Sequence, residues 1–206
     1  MKELKPEDTS RAVGYSYFID APQPTVTLFK TMDITHLMRF ARRGERLNAM
    51  LCYTAGRAAL QVPEFRLRVE RRRLYELEPP YAVSFVSPTK AGGIAICAVP
   101  VDGDYAAFRQ QYTERGAAAY EDASSLSYAE EVVLGTSAMV GTVLDGIVNL
   151  YSEAFCNPFL CWGRYEKHLF RTVLKASFQF HHTQMDGAHA CRFLEAWQKE
   201  ISLFRP

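Results

Sequence analysis

The sequence predicts an α+β fold, a mixed β-sheet with helices packed on one face. Three observations lead there. Segments with an apolar residue at every second position are interspersed with segments whose apolar residues recur at helical spacing. The two kinds interleave without the strict strand–helix–strand alternation of a parallel α/β sheet. The chain has 206 residues, 48% of them hydrophobic, which suffices for one sizeable core, so a single domain over residues 1–206 is expected.

In chain order, Asp8-Thr9-Ser10 supplies N-cap chemistry before a short helical turn carrying Arg11. Thr25 to Met32 is β-branched and aromatic in part and reads as a strand. Asp33-Ile34-Thr35 opens a helix with Leu37, Met38, Phe40 and Ala41. A second helix runs from about Leu47 to Leu60, and Pro63 ends it. Phe65-Arg66-Leu67-Arg68-Val69 alternates and predicts a strand. Tyr81 to Val86 and Ile94 to Val101 are further strands, separated by Pro88 and Gly92-Gly93. Asp104 is placed to cap a helix bearing Tyr105, Phe108 and Tyr112. The next strand region starts at Glu131 to Leu134 and runs on through Ile147 to Leu150 and Phe159 to Trp162.

The most informative stretch lies near the C-terminus. Val173 to Phe180 has apolar residues at Leu174, Ala176, Phe178 and Phe180, and His182 continues that face. Asp186-Gly187 then breaks the strand with turn chemistry. Cys191, Leu194, Trp197, Ile201 and Phe204 recur at helical spacing, so a helix closes the chain. An imidazole at a strand end, with an acid four residues on, suits a general base with structural support beside it. A histidine on an apolar face is also, commonly, a satisfied core residue. Adjacent histidines on a strand point to opposite faces, so His181 and His182 are poor co-ligands of one ion and no metal site is expected.

Composition narrows the remaining classes. Lys plus Arg number 24 against 23 acids, a net charge of +1, which gives no reason to propose nucleic acid or a membrane as partner. The basic runs Arg42-Arg43 and Arg71-Arg72-Arg73 read as solvated loops. Five scattered cysteines without a Cys-x-x-Cys read as reduced thiols of a cytoplasmic protein. The N-terminal residues lack a secretory h-region, and no apolar run approaches the roughly 20 residues of a membrane span.

His181-His182-x-x-x-Asp186-Gly187 followed by a helix resembles the active-site signature of the chloramphenicol acetyltransferase family. The similarity continues through His189, Arg192 and Phe193. Asp33-Ile34-Thr35 resembles the family's Asp-Ile-Thr, and Pro63-Glu64-Phe65-Arg66 its Pro-Glu-Phe-Arg, at matching spacing. Counting back without gaps, Arg11 falls where the family carries an N-terminal Arg, so the resemblance covers nearly the whole chain.

What the resemblance implies is specific. The fold would be that of CoA-dependent acyltransferases, and the donor acetyl-CoA, a diffusing co-substrate. His182 would be the general base and His181 structural. Asp186 would pair with Arg11 instead of acting as a triad acid. The family's oxyanion hydroxyl, in Ser-Ala/x-x-Pro-Trp, falls at Gly135 without gaps, and Ser137 restores the match after a small shift, with Thr136 in reserve; Pro-Trp is missing. A second family hydroxyl corresponds to Cys161, a weaker hydrogen-bonding partner. Arg164 and Tyr165 match a Lys-Tyr bordering the coenzyme A channel, and Tyr17 and Phe18 match aromatics lining the acceptor pocket. A homotrimer with each active site between subunits is implied as well.

The expected function is therefore acetyl transfer from acetyl-CoA to a hydroxyl on a small, chloramphenicol-like acceptor. Two alternatives stand beside it. One is a related CoA-dependent acyltransferase with another acceptor, such as the dihydrolipoamide type, which shares His-x-x-x-Asp-Gly. The other is a non-catalytic binding or scaffold protein that keeps the fold.

Overall fold

The alternating segments assemble into one seven-stranded sheet in a computed structural model that describes residues 1–122, 131–149 and 156–206. Its strands are β2 (Thr25–Asp33), β5 (Tyr81–Pro88), β6 (Ile94–Pro100), β7 (Glu131–Met139), β8 (Phe159–Gly163), β9 (Glu166–Lys167) and β10 (Thr172–His181). The order is β2-β10-β8-β7-β5-β6, with the short β9 on β10. β5, β7 and β8 run parallel, and the other pairs are antiparallel, so the sheet is mixed. A separate three-stranded antiparallel sheet joins β1 (Lys2–Leu4), β4 (Arg73–Glu76) and β3 (Leu67–Glu70).

Helices α2 (Thr35–Ala41), α3 (Leu47–Leu60), α4 (Tyr105–Glu121) and α5 (Gly187–Leu203) lie on one face of the large sheet, and α1 (Ala12–Phe18) stands near the end of β10. The helical face holds the core because the β10 alternation puts Leu174, Ala176, Phe178 and Phe180 there. Phe178 packs on Phe193 of α5 at 4.6 Å, and Phe65 packs on Phe193 at 4.8 Å. Trp197 donates its indole N–H to Thr54 of α3 at 3.2 Å, so the buried ring keeps a polar partner. Asp104 caps α4 by accepting from Ala107 N at 2.9 Å.

The opposite face carries Phe29, Ser177, Cys161 and Ser137 side by side across four strands. Residues 140–149 lie over part of it without forming a strand. Ile147 N donates to Ser177 Oγ at 2.8 Å, and Asn149 N donates to Gln179 Oε1 at 3.0 Å.

Several expectations are corrected. Ile147 to Asn149 bond to side chains, not to a strand partner, and Leu150 lies outside the described residues. Phe65-Arg66 belong to a 3-10 turn, Pro63–Arg66, because Pro63 presets that turn and Phe65 drops into the core; β3 begins only at Leu67. β1 and β4 were not expected. The Arg71-Arg72-Arg73 run is solvated, as expected: exposed Arg71 and Arg72 form the β3–β4 hairpin turn with φ of 48° and 63°, exposed Arg73 opens β4, and Arg72 pairs with Asp20. Cys191 faces solvent, and Ala190, Phe193, Leu194, Trp197 and Ile201 form the buried stripe of α5. Among the described residues no helix is long and apolar enough to cross a membrane.

Candidate active site

β10 ends at His181, one residue short of the imidazole that the alternation had placed on the core face. His182 is the first residue of the turn. Its N–H donates to Pro24 O at 2.7 Å, and the turn closes through Gln184 N and Met185 N onto His181 O. The half-buried His182 ring therefore leaves the core and stacks on Phe18 of α1, with centroids 3.9 Å apart and planes 16° apart. Phe180 meets it edge-on at 6.2 Å. Its Nδ1 is buried and has no hydrogen-bond partner among the described residues. His181 turns to the other face, where its Nδ1 accepts from Thr183 N at 3.2 Å. Burial, and then the neighbouring His182 charge, push the His181 pKa down to about 4.

Arg11 holds this turn from behind. It is 5% exposed and precedes α1, where its own N–H donates to Thr9 Oγ1 at 3.1 Å. Its guanidinium donates three ways: Nη1 to Asp186 Oδ2 at 3.1 Å, Nη2 to His182 O at 2.9 Å, and Nε to Thr183 O at 3.2 Å. A planar fork of donors is the group suited to three acceptors at once. Gly14 makes room for it, since a Cβ there would lie 2.5 Å from Arg11 Nη2.

Asp186 is occupied on both oxygens. Oδ1 accepts from Ala188 N and His189 N at the start of α5, and Oδ2 accepts from Arg11. Its hydrogen bonds go to these groups and not to the His182 imidazole. Burial works hardest against its charge, but the His189 N–H and imidazole, Arg11 and the Ala188 N–H together hold its carboxyl below the usual range. His189 completes a capping box, Nδ1 lying 3.1 Å from Asp186 N, and its Nε2 lies 3.0 Å from the buried Glu64. The sequence marked Glu64 and His189 as parts of motifs without giving either a role; the one available signal was the Asp-x-x-His capping spacing.

The other expected residues lie elsewhere in the protomer. Ser137 and Cys161 are register partners on the face away from the helices. Cys161 donates to Asn149 Oδ1 at 3.4 Å, and burial raises its thiol pKa. Thr136, the reserve hydroxyl, points into the helical side, where it donates to Ser84 O at 2.8 Å and meets Cys52 at 3.4 Å; that removes it from any shared site with Ser137. At Gly135 a side chain would lie 2.4 Å from the Phe159 ring, so the gapless position has no room for a serine in this backbone. His182 is five residues beyond Ser177, and Ser137 is two strands across from Ser177. Strand geometry therefore separates His182 from Ser137 by on the order of 15–20 Å within one protomer.

Arg164 and Tyr165 line a groove of about 430 Å³ with Arg46, Asn48, Tyr112 and Trp162, at the carboxyl ends of β7 and β8 and the start of α3. It continues into a second groove of about 600 Å³, bounded by Phe85, Tyr112 and Trp162. Arg164 is engaged with carbonyls, donating to Val140 O at 3.1 Å and to Gly141 O. Cys161 does not line either groove; its neighbour Trp162 does. Tyr17 is 74% exposed, beside Phe18 and away from both grooves.

The mixed sheet with helices on one face, with a histidine just past the end of the long interior strand β10 and an aspartate capping the next helix, is the frame of a CoA-dependent acyltransferase. The chain belongs to the chloramphenicol acetyltransferase family, whose model matches residues 7–198. It is 25% identical over 179 residues to chloramphenicol acetyltransferase 2 of Escherichia coli, covering 84% of this chain and 83% of that one. A solved chloramphenicol acetyltransferase superposes with a TM-score of 0.81 at 20% identity, over 97% of this chain and 99% of the other. The dihydrolipoamide acetyltransferase of Azotobacter vinelandii shares the fold at a TM-score of 0.69 and 16% identity, over 93% and 86% of the two chains.

Proposed function

We propose that the chain transfers acetyl from acetyl-CoA to a hydroxyl of a small, chloramphenicol-like acceptor, with His182 as general base. The carrying observation is the His182 ring, removed from the core, stacked on Phe18, and fixed through its own carbonyl by the Arg11–Asp186 pair. Imidazole is the side chain most often used as a general base, and here it is held in one orientation.

In the proposed reaction the acceptor hydroxyl sits against Phe18 and the rim residue Tyr17. His182 takes the hydroxyl proton as the oxygen attacks the thioester carbonyl. The carbonyl electrons move onto oxygen, and the oxyanion is held by the Ser137 hydroxyl of a neighbouring copy. Collapse of the tetrahedral intermediate breaks the carbon–sulfur bond, and the departing thiolate of coenzyme A takes the proton from the His182 imidazolium. Acetyl-CoA would run along the groove with Arg46, Arg164 and Tyr165, where cationic and aromatic groups suit phosphate and adenine. The carbonyls at Arg164 make Arg46 the freer cation for a phosphate. Cys161 has no place in that groove; its proposed part is confined to the face it shares with Ser137.

The separation of His182 from Ser137 supports a shared site, and a homotrimer is the assembly proposed. The test is thiol release from acetyl-CoA in the presence of chloramphenicol, other primary and secondary alcohols, and dihydrolipoamide. Acetylation of chloramphenicol or another alcohol is expected. Turnover of the dithiol alone would replace the hydroxyl acceptor by a thiol, and no turnover of any would leave a binding protein.

A further inference from the structure

Glu64 is an acid with 9% exposure in the 3-10 turn between α3 and β3, far in sequence from the turn that holds His182. Its Oε1 lies 3.0 Å from His189 Nε2, and its Oε2 is buried without a hydrogen bond among the described residues, with Arg192 Nη2 at 3.9 Å. A buried carboxylate with so few partners costs stability and needs another reason to be there.

The geometry points to Glu64 and His189 as positioning residues that fix the direction of the His182 ring. The links are continuous. His189 Nε2 lies 3.0 Å from Glu64 Oε1, donor distance when that nitrogen carries the proton. His189 Nδ1 lies 3.1 Å from Asp186 N and 2.9 Å from Asp186 Oδ1. As the neutral ring it accepts from Asp186 N–H; as imidazolium it donates to Oδ1. In both forms it ties Glu64 to Asp186. Asp186 orients Arg11, and Arg11 holds His182 O and Thr183 O. A second link runs from the same 3-10 turn: Gln184 Nε2 donates to Glu64 O at 3.1 Å and to Leu67 O. The turn bearing His182 is therefore anchored from two sides, by Arg11 before α1 and by the Pro63–Arg66 turn. A shift of the His182 carbonyl carries the ring with it, because only two side-chain torsions separate them.

This inference rests on the reading of His182 as the base, so the experiment has a readout that does not need activity. Glu64→Ala and Glu64→Gln would be compared with the parent chain in steady-state acetyl transfer and in proton spectra of the His189 ring N–H. In the parent, the His189 Nε2 proton exchanges slowly with water; in Glu64→Ala that protection is lost. In Glu64→Ala, kcat per folded protomer falls on the order of tenfold to a hundredfold, with KM for both substrates unchanged within about twofold. Glu64→Gln, which still offers an oxygen to His189, recovers most of kcat. If Glu64→Ala fails to fold, His189→Gln and His189→Leu replace it, and the glutamine variant, able to donate to Glu64, should keep the higher kcat. Unchanged kcat per folded protomer, or a loss confined to KM, overturns the positioning role. An inactive parent that still protects the His189 proton would defeat the acetyltransfer reading while leaving the Glu64–His189 link intact.

Discussion

Two adjacent imidazoles in this chain have opposite surroundings, and each supports its own prediction. His182 is removed from the core by the turn and stacked on Phe18. On the proposed reading, His182→Ala lowers acetyl transfer by about 10²–10⁴-fold without unfolding the chain, as loss of a general base does. A variant that keeps its circular dichroism and more than about a hundredth of the parental rate would exclude that role. His181 is buried, with a folded-state pKa near 4 against an ordinary 6.5. Its folded pKa is depressed, so between those values the unfolded chain binds a proton that the folded chain refuses. The stability it contributes is therefore complete above pH 6.5 and declines as pH falls toward 4, by up to about 3 kcal/mol. His181→Asn, whose amide oxygen can accept from Thr183 N, should flatten that decline in urea titrations at pH 7 and pH 5. At this scale the sequence was readable where a residue sits in a local pattern: the His-His pair and Asp-Gly marked the turn to which Arg11 is bonded. Glu64 was not, because its partner His189 is brought to it only by packing between distant segments.

The elements around the site explain why an arginine before α1 and an aspartate before α5 meet. Asp186 caps α5 with Oδ1 and leaves Oδ2 for Arg11, while Gly14 lets α1 approach the guanidinium. The pair is asymmetric, since the Arg11 side chain is 6% exposed and that of Asp186 is 40% exposed. Asp186→Asn leaves a buried cation with no counter-charge, and a loss of about 3–5 kcal/mol is expected. Arg11→Ala strands the His182 and Thr183 carbonyls as well as the carboxylate, and a comparable loss of about 3–5 kcal/mol is expected. Denaturant titration of both single variants and the double variant measures this; a loss under about 1 kcal/mol in either single variant would contradict the pairing. The long strands and helices were legible because burial on one face imposes a period on the sequence. The short ones were not. Phe65-Arg66 alternated like a strand, but Pro63 and the core position of Phe65 make a 3-10 turn there. β1 and β4 are too short and too exposed to carry a period.

At the scale of the whole molecule, the proposed residues fall into two sets at opposite ends of the sheet. His182, Asp186, Arg11 and Phe18 gather beyond the end of β10, whereas Arg164 and Tyr165 lie at the carboxyl ends of β7 and β8, with Ser137 on the face away from the helices. Rotating side chains cannot close a gap on the order of 15–20 Å. One protomer would therefore present the base and receive the oxyanion donor from a neighbour, an arrangement that a closed ring of copies satisfies at every interface. Light scattering should then give three times the protomer mass of 23.4 kDa. A sharper test mixes two defective chains. His182→Ala lacks the base but keeps Ser137, and Ser137→Ala lacks the hydroxyl but keeps His182. Co-expressed and assembled at random, the two would form about a quarter of their interfaces with an intact His182 from one chain and an intact Ser137 from the other. The mixture should recover about a quarter of the parental rate, far above the mean of the two variants, if loss of Ser137 costs the about 10²–10³-fold of an oxyanion donor. A mixture that does no better than that mean would mean that each protomer completes its own site, and Ser137 would have to be replaced as the donor by a group nearer His182 on the same chain.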